Sequence, residues 1–397
     1  MNAPMRHSCE KRSRLFRATD SEGTRLSSDP AIIDAHRHIV RFWLYGVAAL
    51  IALMVIVGGI TRLTDSGLSI VEWKPVTGTV PPLSENAWAA EFEKYKTSSE
   101  YELVNKGMTL NEFKRIYWWE WAHRLLGRVI GAAFLLPLLF FQFRGWIEPG
   151  IKWRLWLIFA LGALQGGIGW WMVASGLVGR VDVAQERLSI HLTMACLILI
   201  AVVWTARRLA PVTSVASAAV ASAIPRRLAW TAVTILSLLV VQIALGGLVA
   251  GLKAGFVYNT WPLIDGALIP AREHLFLLAP AWANLIDNHL AVQFTHRMVA
   301  YLLVTLAVFH AADCVYHNEG RVSAIALAAL LLLQATLGVT ALLWHVPMLL
   351  ALAHQSVAVV TLVTATVHAA NLLAGKPRAV AYRDSNGNAM PERLSAA

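Results

Sequence analysis

Four of the 13 histidines in this 397-residue chain sit at equivalent places. His123, His191, His296 and His354 each lie five to seven residues inside one end of an apolar run. At a rise of about 1.5 Å per residue, all four fall at one depth, roughly 8–10 Å in. Two imidazoles at matched height on neighbouring helices suit an iron held between them. Haem iron takes axial ligands from opposite faces, and bundle cores build such sites from facing helices. Zinc would need three or four nitrogen or sulfur ligands converging on one point, and no cysteine is near these four. A proton relay would stagger its groups along the membrane normal instead of placing them in one layer. One histidine alone is more often a core residue satisfied by hydrogen bonds. Four in a repeated pattern point to ligands.

Arg124 and Arg297 directly follow His123 and His296. Guanidinium pairs carboxylates bidentately, so both are candidates for the propionates of a porphyrin, or else for structural ion pairs. Glu120 stands three residues before His123, on the same helix face, whereas the matching position before His296 is Gln293. Only one of the two sites therefore has a carboxylate able to act as a base or to stabilise a developing positive charge. Arg128 has no counterpart in the second half. His310, His317 and His368 lie at inner helix ends and read as interface residues. Cys9, Cys196 and Cys314 show no paired or metal-type spacing, so neither a disulfide framework nor a zinc site is expected.

The elements that must position these residues are membrane helices. The chain is 57% hydrophobic and 15% charged, with a mean hydropathy of +0.56. That composition belongs to multi-pass membrane proteins. Runs long enough to cross a ~30 Å core fall at about 40–61, 118–143, 153–175, 187–206, 227–250, 290–313, 322–344 and 348–373. Many of the 16 tryptophans lie near the ends of these runs, as interfacial belts do. The net charge of +10 comes from basic residues flanking the runs, which argues for a lipid bilayer and against nucleic acid as partner. Lys and Arg in the short loops favour the side that carries both termini, so both termini are expected in the cytoplasm.

The two halves repeat at one constant offset: Gly58, Gly59, Gly67, Trp73, Gly78 and Pro82 fall on Gly246, Gly247, Gly255, Trp261, Gly266 and Pro270. Further on, "WAHRLLG" aligns with "FTHRMVA", "LQGGIG" with "LQATLG" and "SIHLTMA" with "LAHQSVA". The expected fold is therefore all-α: eight transmembrane helices as two tandem parallel four-helix bundles, N-in and C-in. The expected divisions are an N-terminal tail 1–38, a first half 39–210 with outer loop 62–116, a linker 211–225, a second half 226–375 with outer loop 251–288, and a tail 376–397. The N-terminal tail lacks the apolar core of a signal peptide and holds more acidic residues than a transit peptide does.

The segments "GGITRLTDSGLSIVEWKPVTGTVPP", "EWAHRLLGR", "QGGIGWWMVASGL", "SIHLT", "NLIDNHLAVQFTHRMVAY" and "AHQSVA" resemble haem A synthase, in the branch shared by bacteria and mitochondria, over residues 35–375. The resemblance implies oxidation of a ring methyl of haem O to a formyl group, giving haem A for haem-copper terminal oxidases. It implies that His296 and His354 ligate a resident haem b, that His123 and His191 hold the substrate haem, and that Glu120 is the catalytic carboxylate. Partners implied are haem O, haem O synthase, oxidase assembly factors and an external electron partner. The expected location is the bacterial inner membrane, with the mitochondrial inner membrane as the alternative. Some family members carry a cysteine pair in the first outer loop, and this chain has none there. Two rival readings remain: a cytochrome b-type electron carrier with two permanent haems, and a transporter.

Overall fold

The computed structural model describes residues 30–210 and 224–374. Eight long helices dominate: α1 (Pro30–Leu63), α2 (Leu110–Phe143), α3 (Pro149–Ala174), α4 (Gln185–Arg208), α5 (Arg226–Gly251), α6 (His289–Tyr316), α7 (Arg321–Leu343) and α8 (Met348–Ala374). All eight are long and apolar enough to cross a membrane, so this is an all-helical multi-pass membrane protein. Among the described residues there is no strand.

The helices begin where their caps are, which hydropathy alone does not locate. α2 starts eight residues before the expected span because Thr109 and Glu112 form a capping box. The Glu112 carboxylate accepts from the Thr109 backbone N–H at 2.8 Å, and the Thr109 hydroxyl accepts in return from the Glu112 N–H. α6 starts at His289 because Asn288 Oδ1 accepts the free N–H groups of Leu290 and Ala291. α1 starts at Pro30, so residues 30–38, expected as tail, are helical. The expected tail 376–397 and most of the linker 211–225 lie outside the described residues.

Within the first four long helices the packed neighbours are α1–α2, α2–α3, α3–α4 and α4–α1. The second four repeat that ring: α5–α6, α6–α7, α7–α8 and α8–α5. The rings meet through α4–α5, α4–α8 and α1–α8, and one apolar cluster runs through both, including Leu44, Leu138, Leu199, Ile235, Leu303 and Leu362. Since lipid tails are as apolar as leucine, close packing is what holds such helices together.

The repeated glycine pairs sit where a helix must approach two things at once. A Cβ at Gly58 would lie 3.2 Å from the His123 ring, and one at Gly246 would lie 3.2 Å from the His296 ring. The next residue, about 100° round the helix, faces the other half. A side chain at Gly59 would collide with Gln355 of α8, and one at Gly247 would lie 2.9 Å from Ser189 of α4. Ser189 also donates its hydroxyl to the Ala244 carbonyl across that boundary, at 2.7 Å. The repeat extends to the backbone: Asp65 and Lys253, matched by the same offset, both adopt left-handed φ, at 46° and 53°.

The two long loops differ. The first contains a helix at Glu85–Lys96, capped by Ser84, and a short one at Ser99–Leu103. Trp88, Phe92 and Tyr95 recur at helical spacing and pack with Phe113 and Tyr117 of α2 into a second apolar core. The second loop, 252–288, has only short helical turns.

Candidate functional site

Each of the four histidines lies against a glycine of the preceding helix in its own ring. His123 meets Gly58, His191 meets Gly169, His296 meets Gly246 and His354 meets Gly338, with a built Cβ only 2.9–3.2 Å from each imidazole. Four helix pairs therefore solve the same problem in the same way: a side chain on the glycine would fill the space the ring occupies. All four imidazoles are half-buried.

Three of these glycines are preceded, one turn earlier, by a glutamine. Gln165 brings its amide nitrogen to 3.1 Å from His191 Nδ1 and donates to the His191 carbonyl at 2.9 Å. Gln242 lies 3.3 Å from His296 Nε2, whereas Gln334 approaches His354 through its backbone and its own Oε1 has no hydrogen-bond partner. In α1 the same position is Met54, whose methyl lies 3.2 Å from where a Cβ on Gly127 would stand. His123 is thus the one histidine of the four whose cradle has no glutamine at that position. Sequence reasoning misses these glutamines, although the aligned segments "LQGGIG" and "LQATLG" contain two of them.

The structure brings Glu120 and Arg124 together. Glu120, 2% exposed, accepts from four donors: Ser69 Oγ at 2.7 Å and the Ile70 N–H at 2.8 Å on one oxygen, Arg124 Nε at 3.1 Å and Nη2 at 2.7 Å on the other. A carboxylate offers only acceptors, and this donor set matches it fully. Arg124 also donates to the carbonyls of Glu72 and Ile70, at 2.9 and 2.8 Å, so its guanidinium is committed to Glu120 and the first loop. The sequence suggests propionates for Arg124 and Arg297 and does not reveal this loop-holding role.

The second half copies the clamp with one exchange. Arg297 Nη2 donates to Gln293 Oε1 at 2.8 Å and to the Tyr258 carbonyl at 3.3 Å, while Nη1 reaches the Leu263 carbonyl. Tyr258 is the repeat partner of Ile70, so the matching carbonyl is used. Gln293 donates to the Ala254 carbonyl at 3.0 Å instead of accepting a backbone N–H. The clamp of the first half is charge-neutral; that of the second carries the full positive charge of Arg297.

Arg128, unassigned by sequence, donates to the carbonyls of Pro75 and Lys74 at 2.8 and 2.7 Å, and its Nη1 has no partner. It lines a cavity of about 340 Å³ with Lys74, Gly78, Pro82, Tyr117 and Arg124, between the first loop and α2. At the rim, Lys74 and Lys94 both bridge Glu72 and Glu91. The Lys74 ammonium, followed by that of Lys94, holds the Glu72 carboxyl below its ordinary range. Trp73 packs on Trp170, next to Gly169, with centroids 5.5 Å apart, whereas Trp261 donates to the Tyr301 hydroxyl at 2.9 Å.

Haem iron can be tested against the donor sets themselves. His296 Nδ1 and His354 Nδ1 are buried without a hydrogen-bond partner, so each ring has a nitrogen the protein leaves unused. Imidazoles in glycine cradles, with a glutamine amide beside His191 and His296, have the chemistry of haem-iron ligands.

These helices and paired imidazoles define a multi-pass membrane protein of haem-handling type. The family model described as cytochrome oxidase assembly protein (COX15-CtaA) matches residues 41–366. The chain is 60% identical over 327 residues to the haem A synthase of Rhodopseudomonas palustris strain BisA53, covering 81% of this chain and 88% of that one. It is 58% identical over 341 residues to that of strain BisB5, covering 85% and 92%, and 56% identical over 345 residues to that of Bradyrhizobium sp. strain ORS 278, covering 86% and 92%. The chain belongs to the haem A synthase family.

Proposed function

We propose that this chain synthesises haem A, oxidising a ring methyl of haem O to a formyl group, as two tandem parallel four-helix bundles in a bacterial inner membrane with both termini in the cytoplasm. The observation that carries the reading is one exchange in an otherwise repeated site: equal histidine cradles in both halves, with Glu120 in the first and Gln293 in the second. Bacterial relatives named haem A synthase support the activity, and eight membrane-length helices support the setting.

In this reading His123 and His191 hold the substrate, while His296 and His354 hold a resident haem b, which when bound supplies one-electron redox chemistry. The methyl-to-formyl change takes up one oxygen atom and releases four electrons, together with four protons if water is the formal oxygen source. It proceeds most simply in two two-electron steps through a hydroxymethyl group, the second giving a gem-diol that loses water. Glu120 is pinned by four donors, so it would act as a fixed negative charge that stabilises positive charge developing on the substrate. Service as a mobile base would first require Ser69 or Arg124 to let go. Arg124 positions that carboxylate and ties it to the loop that excludes bulk water.

Arg128, which lines the cavity and has a buried Nη1 with no protein partner, is the guanidinium best suited to a substrate propionate. Arg297, uncompensated by an acid, favours the propionates of haem b. Haem O synthase, oxidase assembly factors and an external electron carrier would act upstream and downstream. The test is to express the protein with haem O available and extract its pigments. Haem A and a hydroxylated haem beside haem b are expected. Two unmodified haems and no oxidised product would overturn the reading in favour of an electron carrier.

A further inference from the structure

At the far end of the second half lies a cluster that the haem chemistry does not use. His310 and Cys314 are four residues apart on α6, and His368 projects from α8; they are 3%, 0% and 0% exposed. Cys314 is a free thiol. His310 and His368 follow the site histidines of their own helices, His296 and His354 respectively, at one and the same spacing. That spacing is nearly four turns, so they share the inward face about 21 Å further along. The sequence alone makes both interface residues. Their burial corrects that: position along a helix is legible, but which side faces the partner helix is not. Cysteine spacing does not reveal the group, because Cys314 and His368 are far apart in sequence. In the first half the equivalent residues are Pro137, Phe141 and Thr205, so the cluster has no counterpart there.

Its hydrogen bonds define its proton inventory. Ser323 donates its hydroxyl to the Gly320 carbonyl at 3.0 Å. With its hydrogen on that carbonyl it accepts from His368 Nδ1–H, 2.7 Å away, a tautomer assigned from the hydrogen-bond network. That assignment leaves His368 Nε2 as a bare lone pair. His368 Nε2 lies 2.8 Å from His310 Nε2, so His310 carries the single proton between them. Cys314 Sγ is 3.5 Å from that same His310 nitrogen, and His310 Nδ1 is buried with no partner. The three ligand atoms lie within 4.8 Å of one another.

These distances exclude a second haem, because two axial nitrogens on one iron stand about 4 Å apart. They suit a small ion. With metal–nitrogen and metal–sulfur bonds of about 2.0 and 2.3 Å in a trigonal site, the pair of imidazole nitrogens need open by only about 0.7 Å from their 2.8 Å separation. We propose that His310, Cys314 and His368 form a binding site for a soft monovalent cation, Cu(I), held by two imidazoles and one thiolate. On binding, Cys314 loses its proton to solvent, and the His310 proton moves from Nε2 to Nδ1. One thiolate then balances one positive charge, leaving a neutral buried complex. A divalent zinc ion would leave a net positive charge in the same low-dielectric place and would want a fourth ligand. Thiolate softness also selects Cu(I). The Ser323 bond to His368 Nδ1 is the outer partner that a metal-bound histidine typically has, and Gly320 gives the ring room, with a built Cβ 3.2 Å from Cε1.

The test uses the full-length, haem-loaded protein in detergent, titrated anaerobically with Cu(I) against a chromophoric Cu(I) chelator, and separately with Zn(II). One tightly held Cu(I) per chain is expected, weakened at least a hundredfold in Cys314→Ser and in His368→Gln. Cys9→Ser and Cys196→Ser should bind like wild type. Haem absorbance and thermal melting report whether each variant is folded. X-ray absorption of the copper-loaded wild type should show one sulfur and two nitrogen neighbours, which decides the matter even if a variant misfolds. Equal Cu(I) binding by folded Cys314→Ser, a copper shell without sulfur, or Zn(II) held in preference to Cu(I) would each overturn the proposal.

Discussion

The two halves share a fold, a glycine-cradled histidine pair and an arginine clamp on the following loop, yet differ at two positions beside the imidazoles. Glu120 faces Gln293 in the alignment, and Met54 stands where Gln242 stands. Both differences act in one direction. On the proposed division, an uncompensated Arg297 and the Gln242 amide beside His296 would favour retention of an anionic porphyrin in the second half. In the first, Glu120 neutralises Arg124 and His123 lacks an amide from α1, which favours a guest that must leave. The proposed division into a holding and a reacting half would thus rest on small edits to one duplicated scaffold.

The sharpest break of that comparison removes the holding half. His296→Ala should lose nearly all haem b from purified protein, read by its absorbance, and with it haem A output. Haem b content equal to wild type would contradict the assignment of the pair. Next comes the edit that makes the first half resemble the second. Glu120→Gln keeps an acceptor for Arg124, as Gln293 does for Arg297 at 2.8 Å, but sets an amide NH2 against the Ile70 N–H, so retained haem b absorbance and thermal melting report whether it is folded. It should keep haem b and lower haem A formation by about a hundredfold or more, the scale for losing a fixed charge aimed at a transition state. Pigment extraction measures both, and normal haem A output would refute a catalytic role for Glu120.

A pair of smaller edits tests the amides. Gln242→Leu should loosen haem b by about tenfold, the lower end for losing a partner that orients a metal-bound histidine. Met54→Gln should do the reverse in the first half, so that more haem O stays bound through purification while turnover falls a few-fold. If both variants retain their haems as wild type does, the glutamines only fill space.

Much of this is legible in sequence, because a repeat compares each residue with an internal control. The constant offset, the four histidines and the unmatched Glu120 all follow from lining up the halves. What stays hidden depends on direction. A glutamine in an apolar helix shows its polarity but not its neighbour, so Gln165, Gln242 and Gln334 pass unread. Arg124 looks available to a propionate because its partners, the carbonyls of Ile70 and Glu72, belong to a loop whose path hydropathy does not describe. The start of α2 is missed for a related reason: its capping box lies beyond the apolar window.

The outer loops carry the last contrast, and the smallest expected effect. Only the first loop has its own core, and that core encloses a carboxyl: Glu100, 5% exposed, accepts from the Tyr95 hydroxyl at 2.9 Å. Burial pushes Glu100 up to about 7, and the same desolvation raises the Tyr95 phenol. An acid whose folded value lies above its unfolded one binds more protons when folded. Its contribution to stability is therefore fully present below about pH 4.5 and is lost as pH rises through 7. The first loop should accordingly become easier to open between pH 5 and 8, seen as faster hydrogen exchange across Glu85–Lys96 after correction for the intrinsic rate. The second loop contains no such buried acid among its described residues and should show no matching trend. Glu100→Gln keeps an acceptor for Tyr95 without the charge, so it should flatten the dependence and slow exchange at pH 8. A pH trend that persists unchanged in Glu100→Gln would assign it to another group and leave the two loops alike in this respect.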